Sequence, residues 1–372
     1  MFLGIDASTQ KEVDAKSPHY YYEGKEIDPW SFLHDHNHAE SMRLRLWVDP
    51  YDEKGKPYGG GTNDYETFVT LSKRALNDGY RILLDIHYSD FWCDPGKQFL
   101  PKSWRGHSLS ETCSLVYEYT KKTLLDLKKE GIEISYIQIG NEITNGMLWP
   151  LGKLGEKGRD GVRTGYDNLS LLLKSGIKAA KEIIPSAKLI LHLERSGDKQ
   201  THEEFFREME KRDVIFDIIG LSYYPYWHGT FDMVFANIDN LKAKFNHPIW
   251  IVETGYGFTT KPSILNGNYD DYLISEHFFQ QTGVYRPFPL TKEGQCTFIR
   301  ALIKEGQKHQ VEAIYYWEPF WLSLPGLEWA SKEGEAYTGE TNKPTHNEWA
   351  NQCLFDYEGN ATPALDAFKI EK

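Results

Sequence analysis

Cysteine is scarce: Cys93, Cys113, Cys296 and Cys353 are the only four in 372 residues. They lie far apart with no C-x-x-C pair, which argues against a disulfide scaffold or a cysteine zinc site and leaves buried or free thiols. A domain this long buries roughly three quarters of its unfolded surface and needs no such staple. Basic runs are missing too. Lys plus Arg total 42 against 54 Asp plus Glu, a formal net charge of −12, so neither nucleic acid nor an anionic membrane is an expected partner. No apolar run is long enough to span a bilayer, and no basic leader with an apolar core follows Met1. A soluble monomer is expected. Its compartment stays open, because a cytoplasmic chain and one exported after loss of its leader would read alike. No G-x-G-x-x-G follows the first strand, which removes the main support for an open doubly wound sheet. Gly59-Gly60-Gly61 is no phosphate cradle, since no Lys-Ser/Thr follows it.

What the chain does have is aromatic residues: 14%, with 11 Trp and 23 Tyr. Most serve packing, but several sit beside polar neighbours, as in YSDFW, SYYPYW and YYWEPFW. A flat apolar face with a polar edge suits a sugar-binding cleft.

Short apolar, β-rich runs alternate with helical stretches. The runs are Phe2–Asp6, Met42–Val48, Arg81–Ile86, Ile134–Ile139, Lys188–Leu193, Ile218–Leu221, Ile249–Val252 and Ala313–Trp317. Several are nearly continuous in apolar residues, as parallel strands buried on both faces require. The clearest helices are Tyr65–Asn77, Ser110–Glu130, Tyr166–Ile184 and Glu203–Arg212, with Asn63 and Asp64 as a start signal and Gly79 and Gly131 as stops. This alternation predicts an α/β protein with a (β/α)8 TIM barrel, one catalytic domain over residues 1–372. Long Gly/Pro/aromatic segments follow strands one, three, four, seven and eight, whereas returns such as Asn77–Tyr80 are short. The extra length therefore belongs to the C-terminal face of the barrel, where active sites are built.

Polar residues gather where the strands end. Glu142 follows strand four after Asn141, Glu253 ends strand seven, His87 follows strand three, and Tyr224 follows strand six. A glutamate at the end of a buried strand is costly unless paired or used. A lone one is more often half of a structural ion pair, for instance Glu142 with Arg45. Two facing each other across a barrel mouth are what glycoside hydrolysis requires, one protonating the leaving oxygen and the other attacking the anomeric carbon or activating water. Glu318 is a third strand-end acid, expected to support the site.

The segments LDIHYSDFWCDPGKQ (84–98), IQIGNEITNGMLWP (137–150), IGLSYYPYW (219–227), IVETGYG (251–257) and YYWEPFW (315–321) resemble glycoside hydrolase family 53, as does the tail NEWANQCLFDYEGNATPALDAF (347–368). The resemblance runs along nearly the whole chain. It implies a retaining endo-β-1,4-galactanase acting on galactan of type I arabinogalactan in pectin. Glu142 becomes the acid/base and Glu253 the nucleophile. Asn141 should hold the 2-hydroxyl of the reacting sugar, and Arg45 and Tyr224 should hydrogen-bond Glu253. His87 should lie beside it, and Trp317 under the sugar. Asp90, Trp92 and Trp149 become cleft contacts. The same machinery on mannan or glucan is the nearest rival. A noncatalytic sugar-binding barrel would be expected to lose one glutamate, and a metalloenzyme or Schiff-base lyase would need a ligand set or a strand-end lysine that is missing.

No cofactor is implied. Some family members hold calcium after strand seven, but Asp270 and Asp271 lack the ligand spacing. His34, His36 and His38, with Glu40, read as a solvated helix end and not as a metal site. Strand five departs from the family: Glu194-Arg195-Ser196 stands where a smaller, Asn-containing turn is expected.

Overall fold

In a computed structural model the apolar runs pair side by side as eight parallel strands closed into a barrel. The structure describes residues 1–263, 274–275, 278–280, 285–340 and 346–370. The barrel strands are β1 (Phe2–Asp6), β2 (Ala39–Leu46), β3 (Arg81–Ile86), β4 (Ile134–Ile139), β5 (Lys188–Leu193), β6 (Ile218–Tyr223), β7 (Ile249–Thr254) and β8 (Ala313–Trp317). They neighbour one another in chain order. β1 closes the ring against β8, Phe2 opposite Ala313 and Asp6 opposite Trp317. One main helix follows each strand: α1 (Pro29–Asn37), α2 (Tyr65–Asn77), α3 (Leu109–Lys129), α4 (Tyr166–Ile183), α5 (Lys199–Lys211), α6 (Phe231–Lys244), α7 (Lys292–Lys308) and the short α8 (Pro363–Ala367).

One expected start signal, Asp64, acts as a cap, and a capping box that was not expected joins it. Asp64 caps α2 by accepting from Thr67 N, and Ser108 with Glu111 forms a capping box on α3. Helix α5 starts four residues before the sequence expectation. Asp198 caps it by accepting from Thr201 N at 3.1 Å, and its polar first turn hides it from an apolar-period reading. Strands β6 and β7 run on to Tyr223 and Thr254, past the apolar residues, because the polar ends are buried as well.

Inside the barrel the character changes along the axis. Leu83, Tyr136, Ile190, Ile218, Trp250 and Tyr315 form an apolar plug, with Phe2 packed against it. Nearer the C-terminal ends the buried inner residues are Asp6, Arg43, Arg45, Asp85, Gln138, His192, Ser222 and Glu253. Register shifts occur in several ladders. The one between Leu221 and Ser222 sets Ser222 opposite Glu253, the way a bulge re-aims a side chain.

Candidate active site

Every strand except β1 delivers a side chain, directly or at its end, to the C-terminal mouth. There a cavity of about 490 Å³ is lined by Arg45, His87, Trp92, Asn141, Glu142, Tyr224, Glu253 and Trp317, together with residues of the long loops. Glu142 reaches it through a tight reversal after β4: Gly140 has φ +81° and Glu142 itself φ +49°. A non-glycine residue held in the left-handed region stores strain, on the order of 1–3 kcal/mol, and such strain clusters at functional sites. Glu253 reaches the mouth from β7. Carboxylate oxygens of Glu142 and Glu253 lie within 4.8 Å of one another.

The two glutamates differ in environment. Glu253 Oε1 is 2.8 Å from Arg43 Nη2, and its Oε2 accepts from Tyr224 OH at 3.3 Å. Burial pushes Glu253 up to about 7, with Arg43 the chief opposing charge. Among the described residues Glu142 has no ion-pair partner. Burial, followed by the Glu253 and Glu194 charges, pushes it well above the carboxylate range. Glu253 therefore ionises first, and Glu142 keeps its proton.

The partner of Glu253 is a correction: Arg43 takes the place expected of Arg45. Arg45 Nη2 instead meets Glu318 Oε1 at 2.7 Å, and its Nη1 meets Asp6 Oδ1 at 3.4 Å. Residues two apart on a strand share a face, so both arginines point inward, and strand tilt decides which layer meets β7. Arg43 is wholly buried and also pairs with Asp6 at 2.6 Å and Asp85 at 2.8 Å. Arg45 still lines the cavity, its guanidinium 4.4 Å from the Trp92 ring. Glu318, taken up by Arg45 and by Thr9 N and Oγ1, is a supporting residue and does not line the cavity.

His87 lines the cavity. Its Nε2 is 3.0 Å from Asp85 Oδ2, and its Nδ1 accepts from Trp47 Nε1 at 3.1 Å. Burial lowers its pKa. Asn141 accepts from Arg43 Nη2 at 2.8 Å and donates through Nδ2 to Cys93 O at 2.9 Å, which aims the amide and leaves a second Nδ2 hydrogen. Two expected cleft contacts are not on this cavity. Asp90 is buried beneath the loop after β3, accepting from Lys102 N at 2.7 Å with Lys102 Nζ at 3.1 Å. Trp149 sits at the turn of a small hairpin (Gly146–Met147 with Gly152–Lys153), its Nε1 donating to Asn145 O and Lys153 Nζ 4.2 Å from its ring centroid. In both cases the loop folds back on itself, which strand-end logic does not foresee.

Several cavity residues stand in segments the sequence singled out but were not expected as site residues. Glu194 follows β5 and is 2% exposed, its Oε1 3.0 Å from Arg195 Nε. The strand-end argument that found Glu142 applies to it equally. Trp349, in the tail segment, lies 4.8 Å from Trp317 and 6.0 Å from Trp227 between ring centroids. These rings and Trp92, 6.1 Å from Trp317, surround the glutamates with flat apolar faces.

Glu142, His192 and Glu253 are close enough to share a metal ion, but the donors do not suit one. His192 Nε2 is engaged by Ser222 at 2.8 Å and Nδ1 by Asn141 at 2.9 Å, and a guanidinium already sits on Glu253. His34 and His36 meet separate carboxylates, Asp35 at 2.9 Å and Asp366 at 3.0 Å. His38 is the left-handed C-cap of α1. Asp270 and Asp271 lie outside the described residues.

Comparison with known proteins places this geometry. The model of glycosyl hydrolase family 53 matches residues 2–368. An endo-β-1,4-galactanase of Bacillus subtilis is 29% identical over 387 residues, covering 98% of this chain and 85% of the relative. A probable arabinogalactan endo-β-1,4-galactanase A of Aspergillus terreus is 30% identical over 338 residues, covering 88% and 87%. Among solved structures, the GH53 catalytic domain of Ignisphaera aggregans superposes with a TM-score of 0.84 at 32% identity, covering 99% of this chain and 95% of that one.

Proposed function

We propose that this chain, which belongs to glycosyl hydrolase family 53, cuts β-1,4-galactosidic bonds within galactan, the side chain of type I arabinogalactan in pectin. It does so with net retention, Glu142 acting as acid/base and Glu253 as nucleophile. The observation that carries the reading is the pair of carboxylates whose facing oxygens lie within 4.8 Å across the barrel mouth, close enough to favour retention, one on a guanidinium and the other, among the described residues, without a cation. Inverting enzymes need carboxyl groups about 6.5–9.5 Å apart to admit a water, whereas retaining ones hold them about 5–5.5 Å apart.

In the first step Glu253, kept ionised by Arg43 and oriented by Tyr224, attacks the anomeric carbon while Glu142 protonates the departing oxygen. A glycosyl ester on Glu253 results. Glu142, now a carboxylate, takes a proton from the water that hydrolyses the ester and returns to its starting form. Asn141 presents its second Nδ2 hydrogen toward the 2-hydroxyl, and Trp317 offers a face to the sugar ring. The relatives' names point to galactan, and the aromatic walls fit an uncharged polymer. No described helix is long and apolar enough to cross a membrane.

Product analysis on linear β-1,4-galactan beside mannan and carboxymethylcellulose tests the substrate. Short galacto-oligosaccharides should appear, with viscosity falling faster than reducing ends rise. Faster cleavage of mannan or carboxymethylcellulose would reject galactan as the substrate.

A further inference from the structure

Behind Glu142 runs a buried chain of polar groups that the reaction as written does not use. Ser222 Oγ lies 2.6 Å from Glu142 Oε1 and 2.8 Å from His192 Nε2. His192 Nδ1 lies 2.9 Å from Asn141 Oδ1. Ser222 and His192 are both wholly buried. The direction of this chain follows from its far end. Asn141 Oδ1 faces the Arg43 guanidinium at 2.8 Å and Gln138 Nε2 at 3.2 Å, while its Nδ2 faces the Cys93 carbonyl at 2.9 Å. Turning that amide over would set donor against guanidinium and oxygen against carbonyl, so Oδ1 is an acceptor. His192 Nδ1 must then carry its hydrogen. Gln138 Nε2 and the Glu142 backbone N–H, both donors, also face this nitrogen at 3.2 and 3.4 Å. Gln138 Nε2 has Asp85 Oδ1 and Gly140 O as its acceptors, and the Glu142 contact is the longest. A bare Nδ1 would set two acceptors 2.9 Å apart at Asn141, so the Asn141 contact decides. A neutral imidazole with hydrogen on Nδ1 has a bare Nε2, and Ser222 spends its single hydrogen there. Toward Glu142, Ser222 has only a lone pair.

We propose that His192 and Ser222 are positioning residues for the acid/base: anchored on Arg43 through Asn141, they present Glu142 Oε1 with an acceptor, which only a protonated carboxyl can satisfy. Burial and the nearby Arg43 charge, which hold the His192 pKa well below its usual value, keep the imidazole neutral as this requires. When the glycosidic oxygen takes the proton, the Oε1–H of Glu142 first turns from Ser222 to that oxygen, and the Ser222 hydroxyl then turns from His192 to the new carboxylate. When Glu142 deprotonates the incoming water, the original arrangement returns. The chain thus favours the acid in the resting enzyme and restores it after turnover. Because Arg43 also holds Glu253, one guanidinium orders both halves of the reaction.

The proposal rests on Glu142 being the acid/base. The charged and titratable groups facing Glu142 are Glu253 from β7, Glu194 and His192 from β5, Tyr224 from β6 and Asp94 from the loop after β3. Of these the test alters only His192. The readout is the basic limb of kcat/KM on galactan, which reports loss of the Glu142 proton. In Ser222→Ala, and in His192→Leu, where Ser222 is released to donate to Glu142, the limb should move to lower pH. A hydrogen bond to the neutral form is lost or reversed, so the shift should be about one unit. Ser222→Thr keeps the hydroxyl and should leave the limb in place. A limb that stays put or moves to higher pH in the Ala variant overturns the proposal, because Ser222 would then be a donor to the carboxylate. The unaltered protein supplies an independent check by nitrogen-15 NMR of labelled histidine. Nε2 of His192 should be the nitrogen without hydrogen, and an Nε2–H tautomer overturns the proposal even if neither variant folds. Failure of the acid/base assignment itself is distinguishable, since it would leave the tautomer unchanged.

Discussion

Arg43→Met removes a cation that three buried carboxylates share. In the native protein Arg43 lies 2.6 Å from Asp6, 2.8 Å from Asp85 and 2.8 Å from Glu253, with no exposed surface. Breaking a buried ion pair by deleting one partner costs about 3–5 kcal/mol, so a clear loss of thermal stability is expected. The effect on activity is more specific. A neighbouring cation lowers a carboxylate pKa by about 1–3 units, and Arg43 is the nearest cation to Glu253, whose pKa burial already lifts to about 7. Without Arg43 that pKa rises further. As the proposed nucleophile, Glu253 must be ionised, so the acidic limb of kcat/KM moves to higher pH, and below the limb activity falls about tenfold for each unit. Arg45→Met strips the partner from Glu318 and leaves the Glu253 pair intact, so its limb should move less. The assay is a pH profile of kcat/KM on galactan for both variants, with circular dichroism to establish folding. Should Arg43→Met not fold, Arg43→Lys keeps the charge but cannot reach Asp85, Asn141 and Glu253 together, and a smaller shift in the same direction is expected. An unmoved limb in a folded Arg43 variant, or an equal or larger shift in the Arg45 variant, would refute the reasoning.

Glu142→Ala should cripple galactan cleavage yet spare much of the first step on aryl galactosides with good leaving groups, and added azide should restore turnover and give a β-galactosyl azide. Equal loss on both substrates without rescue would reject the assignment. Proton NMR of fresh digests should show the β-anomer before mutarotation, and an α-anomer appearing first would mean inversion. Gly4→Ala places a Cβ about 2.4 Å from the Tyr315 ring inside the barrel. Such overpacking should destabilise by about 1–3 kcal/mol, read as a lower denaturant midpoint, and an unchanged midpoint would mean that the inner layer has slack there.

The barrel was legible in the linear chain because parallel strands buried on both faces must be apolar throughout, and helices between them carry their own caps. Phe2–Asp6, Arg81–Ile86 and Tyr65–Asn77 have the expected ends. The glutamates were legible for a related reason. A charged group at the end of a buried strand is too costly to keep unless it is paired or used, as Glu318 with Arg45 also shows, and its position in the strand order places it at the barrel's C-terminal end. Family resemblance added the substrate class and the roles. Other features needed three dimensions. Arg43 and Arg45 share a face by period two, and only the tilt and stagger of the closed barrel set Arg43 against Glu253. Asp90 and Trp149 stand in loops whose paths depend on contacts with Lys102, Gln98 and Lys153. Trp349 comes 96 residues after Glu253 in the sequence and joins the same cavity. The direction of the chain from Arg43 to Glu142 depends on five residues from four strands or strand ends, β2, β4, β5 and β6, meeting at hydrogen-bond distance. Periodicity records which face a residue occupies. Which groups touch across the barrel is decided by closure, because that step alone converts separations of tens to hundreds of residues into contacts of about 3 Å.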